Sequence, residues 1–410
     1  MYSFSLQRWI KISLFNLLVV SMIGVVLRYK IAFSFPWIDQ KHLLHGHSHF
    51  AFSGWLSQVL MALLVAQLPK RGLQVQEKKY NILLSVNLIS SYGMLASFPY
   101  QGYGIYSIFF STLSIITAYC FAIVYWRDIN SATAKNPSGS WFKAGLFFNA
   151  VSSAGAFALA IMMANKTIHQ NWYLAAIYFF LHFQYNGWFF FACMGLLADS
   201  LNDVAPHVAA LKKAFTVFAL ACIPAYLLST LWMKMPFPVY AIVIAAAIAQ
   251  VIGWFWLMRF IIRHYHLIKN NLPAITRWLI GFSLLAFSIK FLLQLGSVIP
   301  VLSTLAFGFR PVVIGYLHLV LLGCISLFIL GYLSAHGFIS IGKITRLAII
   351  IFVSGIILNE LLLLVQGVCA MKYIPIPYIN ESLLGAALIM FSALILLNLG
   401  QYLAKDKRPM

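Results

Sequence analysis

Runs of about 20 apolar residues recur from one end of the chain to the other, and they limit the possible folds more than any other feature. A helix needs about that length to cross the apolar core of a bilayer. Charged residues are only 9% of the chain, and the mean hydropathy is +0.89. We therefore expect an all-α membrane protein, a single polytopic domain over residues 1–410. Its twelve predicted spans lie roughly at 11–34, 44–68, 80–98, 102–126, 141–164, 171–198, 212–232, 236–263, 275–298, 311–335, 344–367 and 380–404.

The Lys and Arg residues are distributed unevenly between the predicted loops. With twelve spans both termini lie on one side, and most of the 28 Lys and Arg residues fall on that side. The positive-inside rule then predicts cytoplasmic termini, and we expect a bacterial inner membrane. The net charge of +20 is explained by this topology and by anionic lipid headgroups, so the expected partner is the lipid bilayer and no nucleic acid is needed. No cleavable signal peptide is expected, because further spans directly follow the long first one.

The five cysteines give no sign of a disulfide framework. Their number is odd, most fall inside predicted spans, and no CxxC or CxxCH motif occurs, so covalent c-type haem is not indicated either. We interpret them as small buried side chains.

A short histidine motif repeats three times. His49 begins HFAFSG, His182 begins HFQYNG and His318 begins HLVLLG, each with Gly five positions later. The copies lie about a third of the chain apart, in predicted spans 2, 6 and 10. This pattern predicts three four-helix repeats, approximately 1–130, 131–270 and 271–410. All three rings are then expected at similar depth in the outer half of the membrane. The glycines point about 140° away from the histidines and are expected to admit neighbouring helices.

More histidines gather at the start of span 2, in the stretch LLHGHSHFAFSGW. His42, His45 and His49 form one stripe of a helix, whereas His47 points elsewhere. Neutral imidazole is the commonest protein ligand of metals and a frequent axial ligand of haem. The alternatives are hydrated histidines at the outer membrane surface, which we favour for His42, and histidines that hydrogen-bond across the helix bundle. Intramembrane ionisable residues are costly and usually functional.

The predicted architecture resembles subunit I of the haem-copper oxidases, in which helices 2 and 10 each provide one axial ligand to a six-coordinate haem. The segment YLHLVLLG at 316–323 is similar to that family's FHYVLSMG-type helix-10 motif. The departures from the family are as informative. The high-spin haem ligand position is Tyr316, and span 7 has no histidine for copper, although His182 matches the helix-6 ligand. Tyr185 follows His182 by three residues rather than the four usual for the family's cross-linked tyrosine. A standard oxygen-reducing binuclear centre is therefore not expected.

A second resemblance fits the histidines better. The HxHxxxxG pattern at 47–54 resembles the HAHEMLFG-type motif of the NnrS family, whose members are twelve-span membrane proteins with haem and copper, associated with the nitric oxide response. His318 and Gly323 resemble that family's HALTVG-type segment, where a further His follows near the helix end. His336 is its counterpart here, about one turn earlier than the pattern requires.

These resemblances imply a cofactor and its ligands. His49 and His318 are expected to be the axial ligands of a haem b, whereas His45, His47, His182 and His336 are candidate ligands of a second metal such as copper, or of a second haem. Bis-His ligation implies electron transfer or sensing, with a redox partner subunit, and an open sixth position implies binding of nitric oxide or another diatomic gas. Whether the protein is an enzyme stays open.

Ionisable residues elsewhere in the spans support a competing hypothesis. Glu360, beside Asn359, and Lys290, one turn from Gln294, lie inside predicted spans and are candidates for a proton path; a hydrogen-bonded neutral carboxyl and a snorkelling lysine are the simpler readings. A transporter built from repeated bundles, with a His/Glu metal or proton path, is therefore the alternative. It predicts substrate flux and no haem spectrum. A purely structural subunit explains the placement of the histidines poorly.

Overall fold

The chain is a bundle of long helices. The computed structural model describes residues 5–132, 136–167, 169–204, 208–269 and 272–405, and these contain helices and loops but no strand. Two short helices, Tyr265–Lys269 and Pro300–Gly308, lie between long helices in the sequence. The long helices are α1 Leu6–Ala32, α2 Gln40–Arg71, α3 Glu77–Gln101, α4 Ile105–Asn130, α5 Ser138–Ala164, α6 (Gln170–His182, Phe183–Phe189, Phe190–Val204), α7 (Val208–Cys222, Pro224–Thr230), α8 Phe237–Arg263, α9 Ala274–Gly296, α10 Arg310–Ala335, α11 Lys343–Met371 and α12 Ile379–Lys405.

Ten of these helices are long and apolar enough to cross a membrane, or eleven if the bent α7 is one span. Helix α7 bends by 48° where its α-helical part ends and a 3-10 segment begins at Pro224. The remaining predicted span, 171–198, corresponds to α6, whose apolar sequence is interrupted by Gln184, Tyr185 and Asn186. The class of polytopic all-α membrane protein is confirmed for the described residues, and a twelfth crossing stays a prediction.

Two compact units divide the helices. The first comprises Met1–Ser131 and Leu333–Met410, and the second comprises Ala132–Tyr332. In the first unit, Asn398 of α12 donates a hydrogen bond to the carbonyl of Leu14 in α1 at 3.3 Å. In the second unit, Phe287 and Phe291 of α9 pack against Trp254 of α8.

Helices α2, α6 and α10 share a local distortion. Each changes from α-helical to π-helical geometry one or two residues after the repeated histidine, over Ala51–Ser57, Phe183–Phe189 and Leu319–Ser326. These are the three π-helical segments among the described residues. Segments of this kind are rare and are frequent at functional sites. The sequence repeat therefore coincides with a repeated backbone geometry, while the division into three four-helix units stays a prediction.

In the first unit, buried amides of neighbouring helices donate hydrogen bonds to carbonyls of the π-helical segment. The wider i→i+5 pattern disturbs the regular helical pairing, so some carbonyls need other donors. Asn16 of α1 donates to the carbonyl of Gly54 at 2.6 Å, and Asn87 of α3 donates to the carbonyl of Ser53 at 3.1 Å. Asn87 also donates to Gln58 Oε1 at 2.7 Å. Neighbouring helices thus stabilise the π-helical geometry of α2.

The second unit uses smaller donors for the same purpose. Ser283 Oγ of α9 donates to the carbonyl of Cys324 in α10 at 2.7 Å. The thiol of Cys222 in α7 donates to the carbonyl of Asn186 in α6 at 3.8 Å. In all three helices, therefore, a side chain from a neighbouring helix reaches a carbonyl of the π-helical segment.

Replacing Asn87 with leucine is expected to lower the stability of the first unit by about 1–2 kcal/mol, because the buried Oε1 of Gln58 loses its donor and the carbonyl of Ser53 keeps only the backbone N–H of Gln58. The side chain is 1% exposed, so water does not replace it. Thermal unfolding of the purified protein in detergent measures the effect. Ser392→Ala is the control, since that exposed hydroxyl bonds only within its own helix. Equal unfolding midpoints for both variants would contradict the assigned role of Asn87.

Candidate functional site

The first turn of α2 fixes the start of the histidine stripe. Asp39 caps this helix, its carboxylate accepting a hydrogen bond from the backbone N–H of His42 at 2.8 Å. That hydrogen bond, followed by the charges of His42 and Lys30, keeps the pKa of Asp39 below its usual range despite some desolvation. The ring of His42 lies against Gly102, where an added Cβ would come within 2.4 Å of Nε2. The ring of His42 therefore occupies the space beside the turn that follows α3.

His45 and His49 face the same aromatic residues. The ring of His49 stacks on Phe98 with 4.5 Å between centroids, and the ring of His45 packs edge-on against Tyr103 at 4.8 Å. Nε2 of His45 is buried and has no hydrogen-bond partner among the described residues. The His49 ring has stacking neighbours but no hydrogen bond within the described part of the chain. Both imidazoles can therefore present a nitrogen lone pair to a ligand.

His47 points away from this pair, as the helical stripe predicts. Its Cε1 is the nearest atom, at 3.5 Å, to the position of a Cβ on Gly24 of α1. His45 and His47 thus face different helices, α3 and α1. The structure does not bring these two candidate metal ligands onto one face.

His182 has both ring nitrogens in hydrogen bonds. Nε2 lies 2.8 Å from the carbonyl of Cys222, so it carries the proton, and Nδ1 accepts from the amide of Asn186 at 3.1 Å. The break in α7 makes the Cys222 carbonyl available, because Pro224 interrupts the helix two residues later. The ring is fully buried. Ligation of a metal by His182 would require breaking one of these bonds.

His318 has a hydrogen bond that fixes its tautomer. Nδ1 lies 2.8 Å from the carbonyl of Ile314, one turn earlier in α10. Because a carbonyl only accepts, Nδ1 is the donor and the lone pair is on Nε2. Metal-bound histidines almost always donate their other ring N–H to a carbonyl, a carboxylate or water. The tautomer of His318 is therefore compatible with ligation through Nε2.

The remaining candidate residues are His336, Glu360 and Lys290. His336 follows the end of α10 and stacks on Phe338, roughly 27 Å along the helix from His318 at 1.5 Å per residue. Glu360, in α11, accepts a hydrogen bond from Asn359 at 3.1 Å. Lys290, in α9, lies with its ammonium over the rings of the second unit.

No group of three or more His, Cys, Asp or Glu side chains suited to a metal ion occurs within the described ranges. The described residues thus contain no preformed set of copper ligands, and copper binding stays a prediction. A haem requires only one or two axial ligands, so the haem prediction for His49 and His318 does not depend on such a group.

Several residues that shape this region were not singled out from the sequence. Phe98 and Tyr103 lie in the aromatic stretch SFPYQGYG, which covers the end of α3 and the turn before α4, and its composition is a weak signal of a ring cluster. Asn186 follows His182 by four residues, a spacing that places two side chains on one helix face. The contribution of Cys222 depends on the break in α7 and has no sequence signal of its own.

The helices and their composition define a class, the multi-span integral membrane proteins. No family model matches the chain, and no curated protein is significantly similar to it.

Proposed function

We propose that the protein is an integral membrane haem protein in which His49 and His318 are axial ligands of haem b. The observation that carries this proposal is the hydrogen bond from Nδ1 of His318 to the carbonyl of Ile314, which puts the lone pair on Nε2. His49 adds support, since its ring is held by Phe98 through stacking rather than through a nitrogen. The pairing of these two histidines on one haem follows from the resemblance to the haem-copper oxidase and NnrS families.

The roles of the protein side chains follow from their contacts. Stacking on Phe98 restricts the rotation of the His49 ring, and the Ile314 carbonyl restricts that of His318 and makes its imidazole a stronger donor. A haem bound by two histidines transfers electrons, whereas one with an open position binds a diatomic gas such as nitric oxide. Nitric oxide response or electron transfer with a redox partner subunit is the corresponding function.

The second metal site has weaker support. Among its candidate ligands, His45 has a buried nitrogen without a partner within the described residues, which favours a ligand role. His182 has both nitrogens engaged, and His47 faces α1. We therefore propose a copper site that includes His45. The contacts of the described residues do not identify its other ligands.

The environment of the proposed haem follows from the topology. We propose an inner-membrane protein with cytoplasmic termini, on the positive-inside rule. His49 and His318 then lie in the outer halves of α2 and α10.

The first test is the reduced-minus-oxidised visible spectrum of the purified protein in detergent, after expression with sufficient haem. We expect a Soret band and a sharp b-type α-band, with haem and protein in stoichiometric amounts by pyridine haemochrome assay. A haem-replete preparation without a Soret band would contradict the proposal. Titration with nitric oxide then separates a six-coordinate haem, which gives no rapid spectral change, from a five-coordinate one, which does.

A membrane transporter is the second candidate, favoured by the burial of Lys290 inside an apolar span, at 1% exposure. Charged groups inside membrane spans commonly mark substrate or proton paths. Flux of a metal ion or of protons into proteoliposomes, with no haem spectrum, is the result that distinguishes it.

A further inference from the structure

The exposed face of helix α8 ends in a pair of arginines. Ile248, Ile252 and Trp256 are exposed along this face, and Arg259 and Arg263 follow them toward the C-terminal end of the helix. At 100° per residue, all five side chains lie within about 80° of the helix circumference. Because α8 is long and apolar enough to cross a membrane, the three apolar side chains face the acyl chains of the bilayer. A single stripe therefore runs from the bilayer core to two cations at the end of the span.

The arginine pair, Arg259 and Arg263, is not neutralised by the described residues. Neither guanidinium group has an ion pair or a hydrogen bond with a described residue. Helices α7, α8 and α9 and the loops between them, residues 208–296, contain no Asp or Glu. The two arginines are one helical turn apart, and like charges at this spacing repel each other and destabilise a helix. An anion that contacts both groups would remove this repulsion.

The neighbouring helix α7 adds positive charge at the same depth. A Cβ added at Gly253 of α8 would lie 3.2 Å from Cγ1 of Val217 in α7, and this contact fixes the register of the two antiparallel helices. Arg259 comes six residues after Gly253, and Lys212 comes five residues before Val217. Lys212 and Lys213 are exposed, so they increase the positive potential near the level of Arg259.

The positive-inside rule alone does not account for the arginine pair. The rule places cations at the cytoplasmic ends of spans but does not decide whether they have partners. In the first unit, Lys79 lies on the same predicted side, and its Nζ is 2.7 Å from Oδ2 of Asp128. That carboxylate also accepts a hydrogen bond from Tyr80 at 2.8 Å. The arginine pair has no such carboxylate among the described residues, which leaves its charge available to a ligand.

We propose that the arginine pair binds the phosphate group of an anionic phospholipid, with an acyl chain of that lipid along Trp256, Ile252 and Ile248. The planar guanidinium group forms paired hydrogen bonds with phosphate oxygens, so arginine suits this ligand. A zwitterionic headgroup brings an amine that the cations repel, and the site therefore favours a headgroup with net negative charge. A free phosphate ion lacks the apolar part that matches the stripe. The site requires only that α8 spans the membrane, and it is independent of the proposed haem.

Lipid-dependent stability of the full-length protein in detergent tests this site. Thermal unfolding of delipidated protein is measured with phosphatidylglycerol or phosphatidylcholine of the same acyl chains, at equal ionic strength. We expect the unfolding midpoint of the wild type to rise with the logarithm of the phosphatidylglycerol concentration, as mass action requires, and to change less with phosphatidylcholine. In the double variant Arg259→Gln/Arg263→Gln the apparent affinity for phosphatidylglycerol should fall at least about tenfold, since each hydrogen bond to a charged group contributes roughly that factor.

Arg8→Gln/Arg346→Gln is the matched control, because it removes two exposed arginines from the first unit. This control should keep the phosphatidylglycerol effect. Native mass spectrometry is a second readout, with a retained phosphatidylglycerol adduct expected for the wild type and the control and absent from Arg259→Gln/Arg263→Gln.

Four results would overturn the proposal. The first is an equal response of the wild type to the two lipids. The second is a phosphatidylglycerol effect that persists in Arg259→Gln/Arg263→Gln or is lost equally in the control, since either would indicate diffuse attraction. The third is equal stabilisation by inorganic phosphate alone, which would make the free ion the ligand. The fourth is a dimer of the wild type that Arg259→Gln/Arg263→Gln dissociates without any lipid effect, which would assign the stripe to a second copy of the chain.

Discussion

Replacing His318 with alanine is expected to abolish the b-type α-band of the purified protein, and His49→Ala is expected to do the same. Loss of an outer-shell partner of a metal ligand typically costs 10–100-fold in affinity, so loss of the ligand itself should cost more than about tenfold. The measurement is haem content per protein and the reduced-minus-oxidised spectrum, after addition of haem to membranes before purification.

Two control variants distinguish ligand loss from general damage. His266→Ala removes an exposed histidine from the short helix Tyr265–Lys269 and should leave haem content unchanged. His182→Ala removes two buried hydrogen bonds, so it should lower the unfolding midpoint and yet retain the α-band. Retention of a wild-type spectrum by either His318→Ala or His49→Ala would exclude that residue as an axial ligand. Loss of the band in His182→Ala, with the fold intact by circular dichroism, would instead assign His182 to the haem.

Much of the fold follows from hydropathy alone, because the bilayer sets the length of each helix. The predicted spans 80–98 and 141–164, for instance, fall within α3 and α5. The prediction of membrane spans from hydropathy is weaker where a segment contains polar residues or a helix break. Helix α6 is less apolar because of its polar residues 184–186, and α7 bends at Pro224.

The π-helical segments could not be predicted from periodicity. The segments are only seven or eight residues long, too short for the period of apolar positions to distinguish π-helical from α-helical turns. The π-helical geometry of α2 is supported by Asn16 of α1 and Asn87 of α3, which donate hydrogen bonds to two of its carbonyls. Asn16 and Asn87 are far from the π-helical segment in the sequence, and they reach it only when the helices pack together.

The same contrast between local geometry and tertiary contacts holds for the candidate site. The directions of His45 and His47 follow from 100° per residue, and the structure has them facing different helices. The hydrogen bonds of His182 depend on the Cys222 carbonyl, and that carbonyl is available only because α7 breaks at Pro224. Local geometry was therefore predictable, and the partners contributed by other helices were not.

The three repeat glycines also differ in how well their neighbours were predicted. They were expected to admit neighbouring helices, and this is confirmed for Gly187 and Gly323, where an added Cβ would meet Phe148 of α5 at 2.5 Å and Ala286 of α9 at 3.2 Å. At Gly54 the nearest atoms belong to Phe50 of the same helix, 2.7 Å away. Among the three repeat glycines, Gly187 thus has the closest approach to an atom of another helix that cannot rotate away.

Gly187→Ala is accordingly expected to destabilise the second unit by about 1–3 kcal/mol, the usual range for overpacking. The new Cβ would lie 2.5 Å from the Cβ of Phe148, and neither atom can move without its backbone. Helix propensity works in the opposite direction, since alanine is favoured over glycine by about 1 kcal/mol in a helix interior. The clash is expected to outweigh propensity because relieving it requires a shift of the backbone of α5 or α6.

Gly281→Ala isolates the propensity effect, because a Cβ at that position in α9 meets nothing within 4 Å. This control should have an unfolding midpoint equal to or above that of the wild type, while Gly187→Ala falls below it. A midpoint for Gly187→Ala that matches the control would mean that α5 shifts freely, and the close packing of α5 on the π-helical segment would then not be needed for stability. Phe148→Gly removes the Cβ that the new methyl meets, so Gly187→Ala should no longer lower the midpoint in that background, and this result would locate the effect in this one contact.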